Sequence, residues 1–290
     1  MKSLPRPRTT GAYEPANVRV AYSALLEVAA SLQAYRESMV LIGGWVPYLL
    51  LQRHQERDNP FRHVGSLDSD WVVDPEKVGA REYETIVGAL KKRGFEEDAN
   101  IRYRLVKWAD APGAAGPLEI AVDLLTAVPP SGEGSGRRHR EIQPDLPARV
   151  TPGAEVALAH FAVLELEGEL LTGGRVKLPV QVADVVGSIG TKGLALGRRF
   201  EEKDNYDLYA LIANYGRGPL EVAAAVRPFV GEPTLRSSLA KIREWFQDVD
   251  DAGPVAVANF FQDEAGEARD RRIRAAFENV NRFLSELGFT

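Results

Sequence analysis

Met39-Val-Leu-Ile-Gly-Gly-Trp45 is a four-residue apolar run stopped by two glycines. Such a run between turn signals reads as a buried strand. The residues from Trp45 to about Arg57 read as a helix. Pro47 is tolerated only in a helix's first turn, which sets the start of that helix near Gly44. Further on, Leu67-Asp-Ser-Asp-Trp-Val-Val73 reads as a second strand, ended by Pro75. Alternation along a strand puts Ser66, Asp68 and Asp70 on one face, with the two aspartates about 7 Å apart at their Cα atoms. Leu118–Leu125 reads as a third strand. Its Glu119, Ala121 and Asp123 face away from Leu118, Ile120, Val122 and Leu124. An acid in the middle of such a strand is costly without a partner or a metal.

Outward from this segment, residues 16–37 have the apolar spacing of an amphipathic helix. Residues 80–92 read as a helix and Ile101–Val106 as a strand. Residues 127–149, rich in Pro, Gly, Ser and Arg, read as a mobile loop. Leu164–Leu170 alternates with period two and turns through Thr172-Gly-Gly174 into Arg175-Val-Lys-Leu-Pro179, a hairpin. From Val180 onward the pattern is helical, over about 181–196, 201–214, 219–229, 233–247 and 264–287. The expected fold is α/β (α+β). Residues 1–178 form a mixed-sheet core with an N-terminal helix and a β-hairpin, and residues 179–290 form a helical domain.

The chain has 290 residues and no cysteine, which excludes disulfides, thiol catalysis and thiolate-ligated metal centres. The longest apolar stretch, Met39–Leu51, is thirteen residues long and contains two glycines and a proline. A membrane span needs about 20. The opening residues MKSLPRPRTTGAYEP carry no apolar signal-peptide core. The expectation is a cytoplasmic protein with no membrane partner. The net charge of −5 argues against a broadly basic nucleic-acid coat. Its distribution softens that argument, because residues 1–150 carry 20 basic and 20 acidic side chains and the whole excess of acid lies beyond them.

Strand, Gly-Gly, helix, strand, Asp-x-Asp, strand and a third acid together describe a metal–triphosphate site. Gly43 and Gly44 let the backbone approach phosphates at a helix N-terminus. Asp68, Asp70 and Asp123 offer oxygen ligands to two Mg²⁺ ions, which activate a hydroxyl and neutralise departing pyrophosphate. Alone, an Asp-x-Asp is most often a solvated strand face. An EF-hand is excluded, since Asp68-Ser-Asp-Trp-Val-Val-Asp74 lacks that loop's glycine and distal glutamate. A second cluster comprises Lys192, Arg199, Lys203, Asp204 and Asp207. Its plain reading is a salt-bridged helix surface. Glycines at 190, 193 and 197 suggest instead a turn that presents Lys192 and Arg199 inward, to phosphate oxygens.

These residues resemble the AbiEii/AbiGii-type nucleotidyltransferases, a toxin family of type IV toxin–antitoxin systems that includes the MenT toxins. It belongs to the polymerase-β-like nucleotidyltransferase superfamily. The resemblance runs from about Val40 to Leu211. It rests on Gly43-Gly44, Asp68 and Asp70, Asp123, Lys192, Arg199 and Lys203-Asp-Asn-Tyr-Asp-Leu208. It departs from the pattern at Ser66 and Val64, where members often carry threonine and arginine; Arg62 and His63 are the nearby substitutes.

The resemblance implies a polymerase-β-like core and a Mg²⁺-dependent transfer of a nucleotide from an NTP to an acceptor, in the MenT branch the tRNA 3′ end. It also implies a separately encoded antitoxin. Asp68 and Asp70 would bind both ions, and Asp123 would complete the acceptor-side ion and help deprotonate the hydroxyl. Gly43, Gly44, Ser66, Lys192, Arg199 and Lys203 would hold the nucleotide, with Asp204 and Asp207 orienting it or Lys192. Two other functions fit the same residues: transfer to a small cationic molecule or a protein hydroxyl, and a non-catalytic nucleotide-binding module. RNA contact, if made, falls to local basic groups: Arg137–Arg140, Lys91–Arg93, and Arg102 with Arg104.

Overall fold

A computed structural model describes residues 9–78, 84–110, 116–129, 138–197 and 201–289. In chain order, helix α1 (Pro15–Ser31) precedes strand β1 (Met39–Ile42), helix α2 (Trp45–His54), strand β2 (Asp68–Val73) and helix α3 (Ile86–Lys91). Strands β3 (Glu96–Glu97), β4 (Arg104–Ala109), β5 (Leu118–Thr126), β6 (His139–Gln143) and β7 (Leu146–Val150) follow, then helix α4 (Ala154–Ala159). Strands β8 (Phe161–Glu169) and β9 (Arg175–Ala183) come before helices α5 (Val185–Ala195), α6 (Glu202–Asn214), α7 (Pro219–Val226), α8 (Pro233–Trp245), α9 (Ala252–Phe260) and α10 (Glu267–Glu286). The fold is α/β, with an open mixed sheet.

The chain divides into two compact units. One comprises Glu14–Gly43 and Ser66–Ala183; the other comprises Gly44–Gly65 and Asp184 onward, with the residues before Glu14. The helical unit therefore starts at Asp184, later than the expected 179, and includes α2. The strand β9 runs to Ala183 because Val180, Val182 and Ala183 are buried in the sheet, where Val182 pairs with Leu41. Asp184 then starts α5 as its N-cap by accepting the N–H groups of Val186 and Gly187 at 2.8 and 2.9 Å.

In the sheet unit the strand order is β3-β4-β5-β2-β1-β9-β8, with β7 on β5 and β6 on β7. Strands β2 and β5 run parallel, as do β1 and β9, while β1 and β2, and β4 and β5, run antiparallel. All four side chains of β1 are buried, as a strand covered on both faces requires. The β8–β9 hairpin follows the alternation read from the sequence. Leu164, Leu166, Leu178 and Val180 are buried, and the exposed Glu165 pairs with Lys177 at 2.7 Å. Helix α1 lays Val20 and Ala24 against Ile120 of β5.

Residues 139–149, expected in a mobile loop, belong to the β6–β7 hairpin, which turns at Pro144-Asp145 between Gln143 and Leu146 and ends at Val150. Residues 130–137 lie outside the described residues. Helix α3 is shorter than the expected 80–92, of which 80–83 are not described. Helices α4 and α9 are additions to the expected set.

In the helical unit α5 packs on α8, and α6 on α2, α9 and α10. Tyr206 and Phe260 stack at 4.3 Å in its core. Gly190 and Gly193, expected in a turn, lie inside α5. A Cβ on Gly193 would sit 2.0 Å from Ser238 Oγ and 2.9 Å from Ile242, so this glycine serves the close approach of α8.

Candidate functional site

Sheet register builds a polar row. Asp70 on β2 pairs with Ile42 on one side and with Asp123 on the other, and Asp123 pairs in turn with Arg104 on β4. Side chains directly opposite across a ladder share a face, so Asp70, Asp123 and Arg104 stand side by side. Asp68, two residues before Asp70, belongs to the same face, and Ser66 Oγ donates to its Oδ1 at 2.9 Å. The expected face therefore exists: Ser66, Asp68, Asp70 and Asp123 are brought together. Asp68 and Asp70 are half-buried and Asp123 is 1% exposed.

Gly43 follows β1 with φ +80°, and a Cβ there would lie 2.2 Å from Asp70 Oδ2. Left-handed backbone and this close approach both demand glycine. Gly44 caps α2 in right-handed geometry at φ −69°.

Asp123 has a partner the sequence reading missed. Arg104 Nε and Nη2 donate to its Oδ1 and Oδ2 at 2.6 and 2.8 Å, a two-pronged ion pair. Arg104, placed among possible RNA contacts by the sequence reading, is 7% exposed and faces Asp123. A mid-strand acid signals the need for a counter-ion, but only the pairing of β4 with β5 identifies it as Arg104.

Among the described residues, no three acidic or histidine side chains form a ready metal cage. Asp68 and Asp70 nevertheless fit a hard cation, being partly exposed oxygen donors on one face. Asp123 is a further oxygen donor on that face, with both of its oxygens engaged by the Arg104 guanidinium.

The late motif forms a buried ionic cluster in the helical unit. Lys192 Nζ donates to Asp204 Oδ1 at 3.0 Å and to Asp207 Oδ2 at 2.6 Å, and Lys203 Nζ donates to Asp207 Oδ1. Asp207 is 0% exposed and Lys192 6%. Burial alone would raise Asp207; Lys192, Lys203 and the hydrogen bond from His63 instead hold it well below the usual carboxylate range. Burial opposes the charge on Lys192 too, and Asp207 and Asp204 overcome it, raising its pKa. Asp204 and Asp207 thus hold the Lys192 ammonium in place. Arg199 lies outside the described residues. Of the two residues near the missing arginine, Arg62 is exposed and donates to the carbonyls of Asn59 and Phe61. His63 is buried against Asp207.

A basic surface group surrounds Tyr103 and His139. The β6–β7 register sets His139 opposite Arg149. Arg149 donates to Tyr103 Oη at 3.0 Å, with its guanidinium 5.4 Å above that ring. The Tyr103 and His139 rings lie 5.7 Å apart. Burial, then Arg102, Arg149 and Arg138, lower the His139 pKa. All three arginines are exposed. Lys91 and Lys92, by contrast, pair with Glu97 and Glu84, both at 2.6 Å. No described helix is long and apolar enough to cross a membrane.

No protein-family profile matches the chain. A comparison with curated proteins finds no match either. Among solved structures it is similar to JHP933 from Helicobacter pylori, with 13% identity over 95% of this chain and 94% of that one, at a TM-score of 0.44.

Proposed function

We propose that this protein is a Mg²⁺-dependent nucleotidyltransferase of the polymerase-β-like type, which transfers a nucleotide from an NTP to an RNA acceptor, foremost the tRNA 3′ end. One observation carries the reading: the register that sets Asp70 beside Asp123, with Asp68 on the same face and Gly43 pressed against the Asp70 carboxylate. A plain solvated strand does not need a glycine at its neighbour's end to make room for a carboxylate.

In this reading Asp68 and Asp70 hold the cation and Ser66 orients Asp68. Bound there, Mg²⁺ offsets the charge of the triphosphate and of the leaving pyrophosphate. The acceptor hydroxyl oxygen bonds to the α-phosphorus, the α–β bridging P–O bond breaks, and Asp123 takes the hydroxyl proton at a carboxylate oxygen. The family resemblance assigns the backbone of Gly43 and Gly44 to phosphate oxygens. Lys192, fixed by Asp204 and Asp207, is the cation that the family resemblance assigns to the triphosphate. The arginines around Tyr103 supply a surface of the kind that follows an RNA backbone. A separately encoded antitoxin belongs to the same proposal.

The test incubates the protein with labelled NTPs, Mg²⁺ and separate pools of total tRNA, protein and cationic small molecules. Label in tRNA that Asp68→Asn and Asp70→Asn each reduce about a hundredfold or more supports the reading. Label in another pool moves the acceptor; no label in any pool, or label indifferent to both substitutions, overturns it.

A further inference from the structure

Asp123 is only 1% exposed, so solvent does not balance its charge, and Arg104 does. The two residues are register partners on adjacent antiparallel strands. The guanidinium engages both carboxylate oxygens, and neither side chain is substantially exposed. On the other flank of Asp123 stands Asp70, a second carboxylate on the same face. Two acids side by side in a shielded place repel unless a positive charge lies with them.

We propose that Arg104 is a built-in counter-ion for Asp123, occupying its carboxylate in the cation-free protein, so that a divalent cation held by Asp68 and Asp70 recruits Asp123 only in competition with the guanidinium. This rests on the reading of Asp68, Asp70 and Asp123 as a cation site. Arg104 is then a positioning residue. It neutralises Asp123 without a metal, and it weakens cation binding in the absence of nucleotide. The fork geometry matters as well as the charge, because a guanidinium matches both carboxylate oxygens and an ammonium matches one.

The experiment needs no turnover. Wild type, Arg104→Gln, Arg104→Lys and Asp123→Asn are melted in EDTA and in rising MgCl₂, at constant ionic strength and without nucleotide. Mn²⁺ binding is followed in parallel by electron paramagnetic resonance. Arg104→Gln should melt lower than wild type in EDTA and regain more stability from Mg²⁺, since a ligand that binds the folded state alone stabilises it. Its half-saturating Mn²⁺ concentration should fall about tenfold, with Arg104→Lys between it and wild type. Asp123→Asn should show no such gain. If Arg104→Gln fails to fold, Arg104→Lys carries the test. Equal Mn²⁺ affinity and equal Mg²⁺ shifts in wild type and the Arg104 variants overturn the counter-ion role while leaving the cation site standing. Absence of Mn²⁺ binding in every protein, wild type included, overturns the cation site itself and the role with it.

Discussion

His63 Nε2 lies 3.0 Å from Oδ1 of Asp207, while the Gly65 N–H points at its Nδ1 at 3.1 Å. An Nδ1 that accepts a backbone N–H carries no proton, so the imidazole is neutral and donates from Nε2. The same segment is held again where the Val64 N–H donates to Tyr206 Oη at 3.1 Å. Two residues of α6 thus tie down the chain ahead of the aspartate strand.

This geometry makes stability depend on pH. Burial pushes the His63 pKa down to about 4 from 6.5, against the hydrogen bond to Asp207, which raises it. Between those values the unfolded chain binds a proton that the folded protein does not. Stability is therefore fully present above about pH 6.5 and falls as the pH drops toward 4, by about 3 kcal/mol from this group. Urea unfolding of wild type and His63→Gln from pH 4.5 to 7.5 checks it. The variant should be less stable at pH 7.5 and show a shallower loss in acid; parallel curves would remove His63 as the cause.

Asp207 is the acceptor shared by Lys192, Lys203 and His63. Replacing it with asparagine keeps the shape and removes the charge that balances two buried ammonium groups. Stripping one partner from such a set costs about 3–5 kcal/mol. Asp207→Asn should lower the urea midpoint accordingly at pH 7. Asp204→Asn should lower it less, since Asp207 still holds Lys192. Equal losses from the two would contradict the central place given to Asp207.

Much of this arrangement was legible in local pattern. Apolar run and glycine pair placed β1 and α2, alternation placed β2, β5 and the β8–β9 hairpin, and Asp68, Asp70 and Asp123 fell on the expected face. What stayed hidden depended on pairing. Nothing adjacent in sequence ties Arg104 to Asp123, nineteen residues apart, or His63 to Asp207. The β6–β7 hairpin was lost because a Gly- and Ser-rich stretch next to it dominated the composition, although Pro144-Asp145 was a usable turn signal. The glycines of α5 misled, since space for α8 and freedom to turn leave the same letter in a sequence.

Gly43→Ala should separate activity from stability. The φ of +80° disfavours any Cβ, at about 1–2 kcal/mol. The new methyl would also displace the Asp70 carboxylate. We expect a modest drop in melting temperature and a loss of nucleotide transfer comparable to that of Asp70→Asn. A variant that melts lower but transfers nucleotide at the wild-type rate would show that Asp70 tolerates displacement.

The arginines around Tyr103 are the described basic group best suited to an RNA backbone, because they are exposed and alternate with two aromatic rings. Arg138→Glu combined with Arg149→Glu should raise the KM for tRNA and leave the KM for NTP unchanged. Each lost phosphate contact should also flatten the logarithmic dependence of tRNA binding on salt by about 0.7–0.9. The salt slope is the decisive measurement, since an RNA that binds elsewhere would keep the wild-type slope even if the hairpin were disturbed. Arg149 also braces Tyr103, so Tyr103→Phe serves as the control: it removes that hydrogen bond, keeps the ring for stacking, and should leave the slope where it was.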